Sequence, residues 1–182
     1  MKHLLTITLF FTCLHLHAQK PLVYDEMLAR TTEITLTDSL SISGLDKEMV
    51  KLDSNTVKQW FTPVFSSSQS IKFKKRDYYL AGKITGSQHF DLLVLVEDKR
   101  RGDSSGYKVI HLVTTKKDGS YIASLKAAVS GTKKQSNYNT SAWLYKGLNI
   151  IQYSKIITST TSMANITNYR INNTGRFLMY NN

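Results

Sequence analysis

Gly102-Asp103-Ser104-Ser105-Gly106 is the stretch of this sequence whose residue types come closest to nucleophilic chemistry, since it satisfies G-x-S-x-G. That chemistry needs a sharp strand-to-helix turn that exposes the serine oxygen, a histidine to take its proton and an acid to orient the histidine. Here the next residues, Tyr107-Lys108-Val109-Ile110-His111-Leu112, read as a strand. His111 is also the only histidine after Ser104, and Asp118 follows it, the reverse of the order an α/β-hydrolase requires. Glycine, serine and aspartate between two apolar runs are what a hairpin loop is made of. A serine hydrolase around Ser104 is therefore the weakest functional reading.

Other catalytic and metal chemistries find little support. His89 and His111 are the histidines outside the first 18 residues, and neither begins a ligand spacing such as H-x-x-x-H. His111 is expected to face Leu93 on one neighbouring strand and Lys126 on the other, with His89 near the opposite turn. No aspartate or glutamate occurs after Gly119, and seven of the thirteen acids precede residue 54. Asp91 and Glu97 fall on the wetter face of one strand, six residues or roughly 20 Å apart, too far to share a proton. Asp98 and Asp103 lie beside Lys99, Arg100 and Arg101, where charge neutralisation is the simpler role. With no glycine-rich phosphate cradle either, the chain reads as a non-enzyme with no metal site and no cofactor.

Charge rises above background. The formal net charge is +11, from 24 basic and 13 acidic residues. The excess falls in the second part of the chain, because the stretch before Gln69 is slightly acidic apart from its leader. Three clusters stand out: Lys72, Lys74, Lys75 and Arg76; Lys99, Arg100 and Arg101; and Lys133 with Lys134. If the strands between them form a meander, turns alternate between the two ends of the sheet and these clusters gather at one end. Tyr107, Tyr138, Trp143 and Tyr145 are expected near them. Cations interleaved with aromatic rings can hold a polyanion by Coulomb attraction and stacking. Lysines on loop tips also keep sheets soluble and guard edges.

The elements that would position this rim follow from periodicity. Tyr78–Thr85, Phe90–Glu97, Tyr107–Thr115 and Ser120–Val129 alternate or run apolar between turn signals, as antiparallel strands do. One face collects Tyr78, Leu80, Ile84, Leu92, Val94 and Leu112 among others, and the reverse face Leu93, Leu95, His111 and Val113 with a polar surround. A two-residue turn at Asp118-Gly119 makes these faces agree. A three-residue loop with Gly119 in a left-handed bulge would shift the last strand by one and swap its faces. Before the meander, TEITLTDSLSIS has strand alternation broken at Asp38. Asp53 or Ser54 can cap a short helix through Phe61 that Pro63 stops. Trp60, Phe61 and Phe65 give this segment an apolar load for covering one sheet face. After the meander come Leu148–Thr158 and a hairpin around Asn173-Thr174-Gly175. The expected fold is mainly β: a single-domain antiparallel meander of about eight strands, sandwich- or barrel-like, with one short N-terminal helix. Residues 19–70 would be the covering segment and 71–182 the meander.

The first residues, MKHLLTITLFFTCLHLHAQ, pair Lys2 with an apolar stretch and a small residue, Ala18. That is the pattern of a secretory signal peptide cut near Ala18, too short for a membrane anchor, and its removal takes away Cys13, the one cysteine. The expected location is periplasmic or extracellular. These features make an exported, non-catalytic binding module, with an acidic glycan, lipid phosphate or acidic protein as its partner, the leading expectation. Nucleic acid fits an exported chain less well. The alternatives are a structural or inhibitory protein that recognises a partner across a sheet face or edge, and a small outer-membrane β-barrel.

Overall fold

The computed structural model describes residues 23–46, 48–65, 76–99, 106–133 and 135–180. Helix α1 (Tyr24–Ala29) leads into strands β1 (Glu33–Thr35) and β2 (Ser39–Ser41), a single 3-10 turn at Ile42–Gly44, and strand β3 (Val50–Lys51). Helices α2 (Ser54–Trp60) and α3 (Thr62–Phe65) follow. Then come eight strands: β4 (Asp77–Thr85), β5 (Asp91–Lys99), β6 (Tyr107–Thr115), β7 (Tyr121–Lys133), β8 (Ser136–Tyr145), β9 (Asn149–Ile157), β10 (Ser162–Ile171) and β11 (Phe177–Tyr180). Each of the first seven is hydrogen-bonded to its successor, so the meander holds from Asp77 to Tyr180.

The chain is mainly β, and the order β1-β4-β5-β6-β7-β8-β9-β10-β11 has two ends, so the sheet is not closed into a barrel. It is also mixed rather than purely antiparallel. Strand β1 runs parallel to β4, with Ile34 opposite Ile84, while β3 lies antiparallel along the other half of β4, with Val50 opposite Leu80. Strand β2 leaves this edge and pairs with the end of β8, Leu40 opposite Leu144. Asp38 thus separates two short strands that serve distant parts of the sheet.

Three short helices replace the single one expected. Asp53 caps α2: its Oδ1 accepts the Asn55 and Thr56 N–H groups at 2.8 and 2.9 Å, and its Oδ2 accepts the Thr56 hydroxyl at 2.7 Å. Burial works against charge on this carboxylate, but those donors outweigh it and hold its pKa below the usual value. Asp53→Ala should cost about 1 kcal/mol, read as a shift in the urea midpoint. Pro63 does not end the helical region. It falls in the first turn of α3, where its missing N–H costs nothing.

Three register shifts, at Ala81, Ile122 and Ala127, decide which residues face which side. An extra residue at Ala81 shifts the register between Leu80 opposite Leu95 and Gly82 opposite Val94. Tyr78 and Leu80 therefore join Leu93, Leu95 and Val113, against expectation, while Ala81 goes to the other side with Ile84, Leu92 and Val94. At the next hairpin Lys116 N–H donates to Ser120 and Gly119 N–H to Lys116, which makes the loop three residues long. Gly119 has φ +87°, and an added Cβ would meet Tyr24 and Trp60 at 2.7 and 2.8 Å, so the position demands glycine twice over. The shift this loop imposes is cancelled at once, because β7 carries an extra residue at Ile122 that puts Ala123 opposite Thr114 and Leu125 opposite Leu112. The faces predicted for Ala123 and Leu125 survive although the predicted turn does not. His111 lies opposite Leu95, not Leu93, and opposite Lys126.

Two cores result. The first joins Ile84, Phe90, Leu92, Val94, Ile110 and Leu112 to Ala142, Leu144, Ile150 and Ile171 from the later strands, so the sheet curls over itself. The second lies on the reverse face, where Tyr24, Met27, Val57, Phe61, Val64 and Phe65 cover Leu93, Leu95 and Val113. Strand β5 is consequently buried on both sides from Asp91 to Glu97. The face expected to be half wet is closed by α1–α3.

Candidate functional site

The sheet end formed by the start of β4, the end of β5, the start of β6, the end of β7 and the start of β8 carries the described part of the predicted cationic rim. Register fixes this: Asp77 opposes Asp98, Lys99 opposes Tyr107, Tyr107 opposes Gly131, and Gly131 opposes Tyr138. Gly131 has φ +106°, and an added Cβ would lie 1.7 Å from the Gly106 carbonyl oxygen. Only glycine lets β7 pass this close to the entry of β6.

On this end the Lys99 Nζ sits 4.7 Å from the centre of the Tyr107 ring, and Tyr107 meets Tyr138 edge to face at 5.7 Å. Burial, with Tyr138 and Glu97 nearby, raises the Tyr107 pKa, so its hydroxyl stays protonated. The cations are not idle. Arg76 donates to Glu97 Oε1 at 2.6 Å, and Lys99 lies 3.4 Å from Glu97 Oε2. Glu97 is 5% exposed, and His111 beside it is 6% exposed. The His111 Nε2 lies 4.0 Å from Glu97 Oε2, beyond hydrogen-bond distance, and Phe65 packs edge-on over the imidazole at 5.4 Å. Burial alone would raise the Glu97 pKa, but His111, Lys99 and Arg76 outweigh it and lower it. For His111 burial wins over the attraction of Glu97, and its pKa is lowered.

A second buried carboxylate, Asp91, lies towards the far end of the sheet. Lys117 approaches it at 2.7 Å and Lys83 at 3.3 Å, and the Tyr24 hydroxyl donates at 3.2 Å. Burial pushes the Tyr24 hydroxyl well above its ordinary pKa. Each buried acid is thus met by two cations, an arrangement that balances charge under the helical cover. Among the described residues no three histidine, cysteine, aspartate or glutamate side chains converge on a metal position.

Of the predicted site residues, Arg76, Lys99 and Tyr138 come together at this end. The Lys133 backbone pairs there with Ser136. Trp143 and Tyr145 do not join them. They lie five and seven residues further along β8, roughly 17 and 23 Å away at strand rise, opposite Ile151 and Asn149. Lys72, Lys74, Lys75, Arg100, Arg101 and Lys134 lie outside the described residues, as do Ser104 and the leader up to Ala18. The described residues flanking Arg100 and Arg101 do face one another, since Lys99 opposes Tyr107.

Sequence reasoning missed two features. One is the enclosure of Glu97 and His111, because nothing local in β5 or β6 reveals that Phe65 packs over the His111 ring beside Glu97. The other is an exposed apolar face on β8–β11, where Trp143, Ile151, Tyr153, Ile166, Leu178 and Tyr180 stand 38–65% exposed. Its signal was present in the alternation of β8 and β9, but Leu148–Thr158 read only as an isoleucine-rich strand. No helix among the described residues is long and apolar enough to cross a membrane. No family model, curated protein or solved structure matches the chain.

Proposed function

We propose that the protein is an exported, non-catalytic binding module that holds an acidic envelope glycan at the basic end of its meander. The observation that carries this reading is register: five strand ends meet there, with Lys99, Tyr107 and Tyr138 packed as a cation on an aromatic pair. Arg76 and Lys99 spend much of their charge on Glu97, and the sequence adds Arg100, Arg101 and the lysines at 72, 74, 75, 133 and 134. Tyrosine rings supply flat apolar surface for sugar faces, and the cations supply the attraction to carboxylates or sulfates. Export rests on the leader pattern of residues 1–18.

Retention on immobilised heparin tests this. The protein should be retained at low salt and released as ionic strength rises, because exposed charges are screened within about 10 Å at 0.1 M salt. Arg100→Glu with Arg101→Glu should weaken binding about tenfold or more and flatten its salt dependence. Retention that ignores salt, or that survives this double reversal, overturns the reading.

A further inference from the structure

We infer that the outer face of β8–β11 is a membrane-contact surface, one that lays the protein on an anionic bilayer independently of the cationic rim. Register assembles the face in rows. Trp143, Ile151, Asn168 and Tyr180 lie side by side across the four strands, and Ser141, Tyr153 and Ile166 form the next row. On the other side of Trp143 comes Tyr145, Asn149, Arg170 and Leu178. Ala142, Leu144 and Ile150, with the opposite parity, point into the first core, so the face is directed away from the protein body. Across four strands it is about 14 Å wide. Ile166 is 65% exposed, Leu178 49% and Trp143 46%, and large apolar side chains grouped on one face are what contact surfaces carry.

The charges on and around this face select the occupant. Lys155 and Arg170 stand on it, and Lys146 and Arg176 flank it in the adjoining turns. No acid occurs in the sequence after Gly119. Asp38 touches one corner, where its carbonyl accepts the Lys146 N–H. A second copy laid face to face would bring Lys155 and Arg170 against like charges. A bilayer carrying anionic lipid matches every component: aliphatic side chains enter the acyl boundary, tryptophan and tyrosine rings rest at headgroup depth, and lysine and arginine meet the phosphates.

Vesicle co-sedimentation of the mature chain decides the matter. Binding is expected to vesicles of phosphatidylglycerol and phosphatidylcholine, with little to phosphatidylcholine alone. Ile151→Asn with Ile166→Asn should lower the partition coefficient about a hundredfold, since each buried isoleucine contributes about 1.5 kcal/mol or more and 1.4 kcal/mol is a factor of ten. Both positions are exposed, so the variant keeps its fold. Brominated lipid should quench Trp143 in the unaltered protein, while Trp60, half-buried against the second core with its ring tilted on Tyr24 at 5.5 Å, is spared. Arg100→Glu with Arg101→Glu, which removes heparin retention if the rim reading holds, should leave vesicle binding within about twofold. Equal binding to both vesicle types, no quenching of Trp143, or unchanged binding of the isoleucine variant each overturns the inference. So does a dimer that forms without vesicles and is dissolved by the isoleucine substitutions, which would assign the face to a second copy.

Discussion

Glu97→Ala is expected to destabilise the protein by about 3–5 kcal/mol, far more than loss of a surface ion pair. The carboxylate is 5% exposed and is met by Arg76 at 2.6 Å, Lys99 at 3.4 Å and His111 at 4.0 Å. Removing it leaves a partly buried guanidinium without its counter-charge, and that desolvated cation supplies most of the cost. Arg76→Ala should be milder, because Lys99 still compensates Glu97. Urea midpoints check both, and an effect of Glu97→Ala under about 1 kcal/mol, the range of exposed pairs, would show that the pair is solvated.

The same cluster gives stability a pH dependence of definite sign. The folded state lowers the His111 pKa, so the unfolded chain binds that proton more readily. The His111 contribution is complete above its unfolded value of about 6.5 and diminishes as pH falls below it. Glu97 is also lowered, so its contribution is complete above the unfolded carboxylate value of about 4.3 and is lost as pH falls through the folded one. Both slopes run the same way. Acidification from about pH 7 to 5 should lower the urea midpoint through His111, and His111→Gln should remove that part of the slope.

Phe61→Ala is expected to cost about 3–5 kcal/mol. Phe61 is fully buried, follows α2 directly and belongs to the cluster that includes Leu93, Leu95 and Val113. The substitution leaves a hole against Leu93, Leu95 and Val113, whose strands β5 and β6 are each paired on both sides and so cannot move in to close it. Fluorescence of Trp60 and far-ultraviolet dichroism should lose the same amount in one coincident transition. If Trp60 responds at lower urea than the sheet does, the helical cover is an independent unit and the estimate is wrong.

Strand pairing was legible because Leu92, Val94 and Val96 alternate with Leu93 and Leu95, and turn residues separate every run. Bulges were not legible. The extra residue at Ala81 leaves no mark in an apolar pattern, since alanine suits either face and Gly82 has no side chain to betray the shift. At Gly119 the pattern pointed to the wrong loop because Ile122 undoes the displacement within three residues. Strands β1 and β2 showed in the alternation on either side of Asp38, whereas β3 spans two residues, too few to show a period, and the partners of all three are set by long-range fit. Part of the predicted rim came together, at Lys99 and Tyr138, because a meander leaves no choice about which ends meet. Trp143 and Tyr145 did not, because nearness in sequence to Tyr138 is undone by the length of β8. Glu97 and His111 looked wet because alternation assigns faces but does not say what lies over them.

The pairing of β2 with β8 has a consequence for biogenesis. Leu40 and Leu144 are opposite one another yet roughly a hundred residues apart. A chain emerging amino end first cannot dock this strand until most of its length has appeared, so Ile42, which packs with Ala142 and Leu144, stays uncovered in the nascent polypeptide. Late closure of that kind leaves the polypeptide threadable until β8 has been made.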